Sequence, residues 1–279
     1  MNRITTSTLF LCLLSSLFLF NEGKAQDLDT TEAKTSKWDR YLTAGIGSQN
    51  VVLYDQHMSP LNYYGGSLFP RFGYEKSGER SKSRLYFDFV YGSIRSRNAT
   101  ELRPMRGDYI RFDVDYTYLR YVKSVFKNRY KLYLGGQLLS HSNVRLNEQL
   151  DTGFITFIFS NSLAVSSAIE RKVRWLGREI TLYYQLGIPV ISHVIRPSYL
   201  NIFNYLDPEN DWVGERLDDS DLLTINKLQS FNSRFELNYP LNTNNIIRLS
   251  YNWDFYNLNN KLNAVSASHK VLVSFLFKF

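Results

Sequence analysis

Along most of this 279-residue chain, apolar and polar side chains alternate with a period of two. The pattern is sharpest near the end, where Ile247, Leu249, Tyr251, Trp253 and Phe255 interleave with Arg248, Ser250, Asn252 and Asp254. Successive strand residues point to opposite faces, so this is a two-faced β-strand with no helical period. Just upstream, Phe231, Phe235, Leu237 and Tyr239 alternate with Asn232, Arg234, Glu236 and Asn238. Leu85, Phe87, Phe89 and Tyr91 face away from Asp88, and Leu132, Leu134 and Leu138 oppose Lys131, Tyr133 and Gln137. Ile110, Phe112, Val114, Tyr116 and Tyr118 likewise oppose Arg111, Asp113, Asp115 and Thr117. Segments 40–50, 64–76 and 154–170 carry the pattern less sharply. In segment 179–193, Pro189 falls on the polar phase with Thr181, Tyr183, Gln185 and Gly187, where it should break a ladder bond or mark a bulge. With 266–279, the alternation predicts ten strands.

Counted from the first strand, the even connections are short: 77–82, 125–129, 171–178 and 240–244. The odd ones, 51–63, 98–107, 141–153 and 194–228, are longer, with 257–263 a short exception. An even strand number with short turns at one end and long loops at the other is the pattern of a transmembrane antiparallel β-barrel, turns periplasmic and loops external. Strands of ten or more residues with a continuous apolar face argue against a soluble sandwich. The mean hydropathy of −0.29, and the lack of any apolar run of eighteen after the leader, exclude a helical membrane protein. Tyr (20) and Phe (19) are nevertheless abundant, which suits strands that are apolar outside, polar inside and girdled by aromatics.

Residues 1–26 read as a secretory signal: Arg3, an apolar stretch from Leu9 to Phe20, then Gly23-Lys24-Ala25 before Gln26. Twelve apolar residues are too few for a spanning helix, which needs about 20. Cys12, the one cysteine, lies inside this signal, so the remainder has no thiol or disulfide chemistry. Residues 27–37 carry almost no large apolar side chain and read as a flexible periplasmic lead to a barrel domain at 38–279. Removing Arg3, Glu22 and Lys24 takes the 33 bases and 26 acids to 31 and 25, a net charge of +6. The charges are scattered, without a basic block or nucleic-acid motif, so no nucleic-acid partner is expected.

The final strand places Val271, Val273, Phe275, Phe277 and the terminal Phe279 on one parity. A chain ending this way resembles the outer-membrane β-barrels of Gram-negative bacteria, whose terminal aromatic strand is an assembly signal, here Phe275, Phe277 and Phe279. The Ala25-Gln26 junction and the wealth of Asn and Tyr are similar to members from Bacteroidetes. The resemblance implies a location in the cell outer membrane, with its lipid and lipopolysaccharide and the barrel-assembly machinery as partners.

With the apolar phase on lipid, the lumen collects Arg71, Glu75, Asp88, Arg111, Asp113, Asp115, Lys131, Glu170, Arg234, Glu236, Arg248 and Asp254, seven acids and five bases. Charges removed from bulk water must pair or stay hydrated. A ten-stranded barrel has limited room, so a salt-bridged, largely closed core is expected ahead of a narrow hydrophilic conduit.

Three further groups are candidates for chemistry. Ser140-His141-Ser142-Asn143 resembles the His-x-Ser-Asn signature of the outer-membrane phospholipase and lipid A deacylase families. Here His141 and Ser142 are adjacent, and a regular strand would turn them to opposite faces. Asp207, Glu209 and Asp211 have the oxygen ligands Ca²⁺ takes, but Trp212 stands where the helix-loop-helix calcium motif wants Gly; a solvated acidic loop is the simpler reading, and neither metal nor cofactor is expected. Tyr199, Phe203, Tyr205 and Trp212 in the longest loop could form a contact surface for a glycan or protein. The leading expectation is therefore a non-enzymatic surface or accessory barrel that binds through this loop. A narrow porin-like conduit comes second, and a lipid hydrolase using His141 third.

Overall fold

In the computed structural model, residues 38–56, 58–96, 105–126, 129–147, 155–175, 177–196, 220–259 and 263–279 are described. The signal and lead at 1–37 lie outside the described residues. Eleven strands follow in chain order: β1 (Asp39–Asp55), β2 (Ser59–Ser77), β3 (Ser81–Ser96), β4 (Arg106–Val125), β5 (Tyr130–Leu146), β6 (Ile155–Trp175), β7 (Arg178–Ile195), β8 (Ser220–Thr224), β9 (Leu228–Pro240), β10 (Ile246–Leu258) and β11 (Ala264–Lys278). Every pairing is antiparallel between neighbours, and β1 pairs β11 from Tyr41↔Lys278 to Asp55↔Ala264, which closes the sheet. Among the described residues every strand but the short β8, which pairs with β7 alone, has a partner on both sides, as backbone groups inside hydrocarbon require.

The barrel has ten staves, because β8 and β9 share one. Residues Ile191–Ile195 of β7 pair with β8, whereas Thr181–Gly187 pair with β9. The break falls at Pro189, which has no N–H to give to a ladder. On its other side, the β6–β7 register shifts between Leu163 and Ala164, and consecutive Val190 and Ile191 both face outward. This is the bulge that the proline's phase implied.

The two faces separate as the alternation requires. Phe235, Leu249, Trp253 and Val273 are exposed on the outside, while Arg234, Glu236, Arg248 and Leu272 are buried inside. On β11 the rings of Phe275 and Phe277 sit 4.4 Å apart, and Phe279 lies 6.2 Å from Tyr74. Towards the other end of the same wall, Trp253 packs edge-on against Phe231 (4.6 Å) and stacks with His269 (6.2 Å), whose Nδ1 hydrogen-bonds the Tyr251 hydroxyl at 2.7 Å. Aromatics thus flank the aliphatic row of Leu237, Leu249 and Val273, which are cross-strand neighbours on β9, β10 and β11.

The strands run longer than the alternation suggested. The first external connection is only residues 56–58, and β1 and β2 continue through most of 51–63. Long external connections are left between Ser96 and Arg106, Leu146 and Ile155, and Ile195 and Ser220. Strands of 13 to 21 residues, apart from the short β8, exceed the roughly 9–11 that span a bilayer, so their outer ends stand clear of the lipid.

The outward phase gives a direct test. Leu249→Arg, in the middle of the lipid-facing row, is expected to destabilise the barrel by about 2–4 kcal/mol in phospholipid vesicles, while arginine at a rim position such as Ile225 costs about 0–1 kcal/mol. Reversible guanidinium unfolding of the two variants measures the difference.

Candidate functional site

The lumen is filled in layers. Near the periplasmic end, Leu119, Tyr133, Ala168 and Tyr183 pack together. Beside them, Glu75 receives Arg248 Nη1 at 2.6 Å and Nη2 at 3.0 Å, the Tyr86 hydroxyl at 2.8 Å and Thr43 Oγ1 at 3.0 Å. Glu236 takes Arg84 Nη1 at both oxygens, 3.0 and 3.1 Å, and the Arg84 guanidinium lies 4.1 Å over the Tyr183 ring. Lys82 pairs with Glu170. Three acids thus meet three bases.

The middle layer repeats this balance. Arg71 binds Asp88 through Nε (2.6 Å) and Nη2 (2.7 Å), a two-pronged geometry that adds direction to charge. Lys270 reaches Asp113 at 2.8 Å, Asp88 at 3.5 Å and Asp254 at 3.6 Å. Arg111 donates to Asp113 at 2.7 Å and lies 3.6 Å from Asp254. Arg234 pairs with Asp115, which also accepts Gln137 (2.9 Å) and Thr117 (3.0 Å).

Towards the external end the inward residues turn apolar. Val51, Leu53, Tyr63, Phe69, Ile94 and Tyr109 form one cluster, and Ile158, Val194, Leu223, Leu228, Leu258 and Ala264 another. Between them Asp55 holds Arg145 and Arg196.

Of the residues assigned to the lumen from the alternation, Arg71, Asp88, Arg111, Asp113, Asp115, Arg234, Glu236, Arg248 and Asp254 all lie on the inward face and share this network. Lys131 does not: it keeps the inward phase but sits at the periplasmic rim, exposed. Lys82, Arg84, Arg145, Arg196, Asp55 and Lys270 were missed. Lys270 is the central cation, yet the final strand announces itself by its outward aromatics. The signal that finds Lys270 is its parity, opposite to that of Val271 and Val273.

His141 and Ser142 part company. Ser142 is on the lipid phase of β5, whereas His141 faces the lumen, so the hydroxyl next in sequence cannot give its proton to this imidazole. Instead His141 Nδ1 lies 2.7 Å from Asp113 Oδ1 and 3.4 Å from Arg111 Nη2. The ring borders a chamber of about 50 Å³ whose walls include Arg111, Asn143, Ser160, Asn232 and Asp254. Such a volume holds a few waters, and the buried Asn232 Oδ1 has no protein partner. Among the described residues no group of three His, Cys, Asp or Glu side chains could hold a metal ion. The candidate calcium ligands Asp207, Glu209 and Asp211 and the aromatic candidates Tyr199, Phe203, Tyr205 and Trp212 lie outside the described residues.

A closed antiparallel barrel, apolar outside and ion-paired within, is an outer-membrane architecture, and the cell outer membrane is where this protein resides. No protein-family model and no curated relative matches the chain. Similar solved structures include the outer membrane protease OmpT from Escherichia coli, with 9% identity and a TM-score of 0.49, covering 90% of this chain and 99% of that one. The translocator domain of the autotransporter NalP from Neisseria meningitidis has 9% identity and a TM-score of 0.38, covering 98% of both chains. OccK7 (OpdD) from Pseudomonas aeruginosa has 8% identity and a TM-score of 0.24, covering 88% of this chain and 100% of that one.

The ion network makes a stability prediction. Asp88→Asn leaves Arg71 buried without its carboxylate and is expected to cost about 3–5 kcal/mol. Replacing both partners, Arg71→Met with Asp88→Leu, removes the uncompensated charge and should recover most of that loss. Unfolding of the refolded barrels measures both.

Proposed function

We propose that this protein is a sealed outer-membrane barrel that works by binding at its external end, through the segment joining β7 to β8. The observation that supports this reading is the packed interior: paired charges in the middle, aromatic and aliphatic clusters at the two ends, and a chamber of only about 50 Å³. A conduit needs a continuous hydrated path with polar groups free to exchange with ions, and here the lumenal charges are already bound to one another. Binding then falls to the loops, where rigid scaffolds carry recognition. The aromatic side chains Tyr199, Phe203, Tyr205 and Trp212 suit a glycan or the surface of another protein.

Planar-bilayer recording decides between sealing and conduction. The purified protein, and a variant lacking residues 199–221, are both expected to fold with heat-modifiable migration and to show no discrete current steps in concentrated KCl. Reproducible steps in the intact protein would make it a conduit, and steps appearing only after the deletion would make the loop a plug. Either result overturns the proposal.

A further inference from the structure

At the periplasmic edge the lipid-facing rows end in cations. Arg40 on β1, Lys76 on β2, Arg120 on β4, Arg171 on β6 and Arg178 on β7 all keep the outward phase there. Among the described residues no Asp or Glu takes such a position: Asp39, Glu75, Glu170 and Glu179 have the inward phase. Arg40 and Lys76 are direct cross-strand partners, an arrangement that repels unless an anion lies against both. Three of the five bases rest on rings. Lys76 Nζ lies 4.3 Å from the centre of Trp38, and the guanidiniums of Arg171 and Arg178 lie 5.1 and 5.4 Å from those of Tyr130 and Tyr239. Such stacking holds a cation at the boundary between apolar surface and water. Around Arg171 the surface is also concave. Phe126, Arg129, Tyr130 and Arg171 line an open recess of about 430 Å³. Its apolar side is the Phe126–Tyr130 ring pair, 5.6 Å apart and edge-on. The Arg129 backbone N–H donates to the Phe126 carbonyl at 3.3 Å, which keeps both residues on the one turn. Arg171 donates Nη1 to the Tyr130 hydroxyl at 2.9 Å, and a guanidinium has further donors to offer.

We propose that this recess is a headgroup site for an anionic phospholipid of the inner leaflet, with Arg129 and Arg171 taking the phosphodiester oxygens. It lies at the opposite end of the barrel from the loop joining β7 to β8 and does not rest on binding there. Contact with lipid is general along the apolar wall, whereas this site selects a headgroup. Guanidinium forks match the paired oxygens of a phosphate. No carboxylate lines the recess to receive an ammonium group, and the nearest acids are engaged, Glu170 by Lys82 and Glu179 by Lys172. A zwitterionic headgroup would therefore set its cation among cations, while a glycerol headgroup brings only hydroxyls. Above the recess Ile169 and Leu134 are exposed on the same face, which gives the acyl chains an apolar wall to follow towards the middle of the bilayer. Anchoring the headgroup at this edge also fixes the depth at which the barrel sits.

Native mass spectrometry of the purified folded barrel in non-ionic detergent, titrated with dioleoyl phosphatidylglycerol or dioleoyl phosphatidylcholine, tests this. The barrel is expected to retain phosphatidylglycerol at about tenfold lower concentration than phosphatidylcholine. Removing both cations, Arg129→Gln with Arg171→Gln, should weaken phosphatidylglycerol about fivefold for each charge, roughly 25-fold together, and leave phosphatidylcholine unchanged. Arg174→Gln removes the same charge from the same edge but from the inward phase, and should bind as the parent does. Folded migration is checked for each variant, and the parent result stands without them. Equal retention of the two lipids by the folded parent protein overturns the proposal. A loss in Arg174→Gln as large as in the double variant would mean diffuse attraction to the edge and overturns it too. Displacement of the lipid by an equal concentration of glycerol 3-phosphate would make this a site for a free phosphate, which is a third contrary result.

Discussion

Charges taken out of water must meet opposite charges, and this constraint organises the whole barrel. The pairs in the lumen are not local. Arg84 reaches Glu236 from 152 residues away, Arg248 reaches Glu75 from 173, and Lys270 reaches Asp113 from 157. None of these bonds can form until the sheet has closed, and all of them fix the same register. A slip of one residue on any stave would send its charges to the lipid and its aromatics inward, because the side-chain period is two. The network therefore does more to specify one closed arrangement than to add stability, since paired buried ions often do no better than apolar side chains of similar volume.

The outer face obeys the same alternation read from the other side. Leu249 lies between Leu237 and Val273 on the lipid row, and the flanking Arg248 and Ser250 are buried inside. At the two ends the lumen gives up charge for Tyr, Leu, Ile and Val, so the ion layers are capped above and below. His141 is the exception within the middle layer: one nitrogen belongs to the network through Asp113, and its ring edge borders the chamber.

How much of this the sequence disclosed depends on contrast between neighbouring residues. On β10 the contrast is complete, and strand, faces and lumenal residues can all be read from residues 247–255. At the outer end of β1 it vanishes: Val51 and Leu53 point inward, Val52 points outward, and all three are apolar. The alternation therefore ends the strand near residue 50 and leaves Asp55, which holds two arginines, in a loop. Arg196 is hidden in the same way, behind the apolar pair Val194 and Ile195, whereas Arg145 is hidden because Ser140, His141, Ser142 and Asn143 before it are polar on both phases. The pairing of Asp113 with His141 is illegible for a different reason, since strand register relates residues through space and no spacing along the chain records it. The opposite facing of the adjacent His141 and Ser142, by contrast, follows from the alternation alone once both lie on a regular strand.

Water permeation tests the central claim of a sealed, charge-matched lumen most directly. Stopped-flow light scattering of vesicles reconstituted with the intact barrel should show osmotic shrinkage at the rate of protein-free vesicles, because the paired side chains leave no continuous file of water. Protein-dependent acceleration, rising with the number of barrels per vesicle, would contradict it.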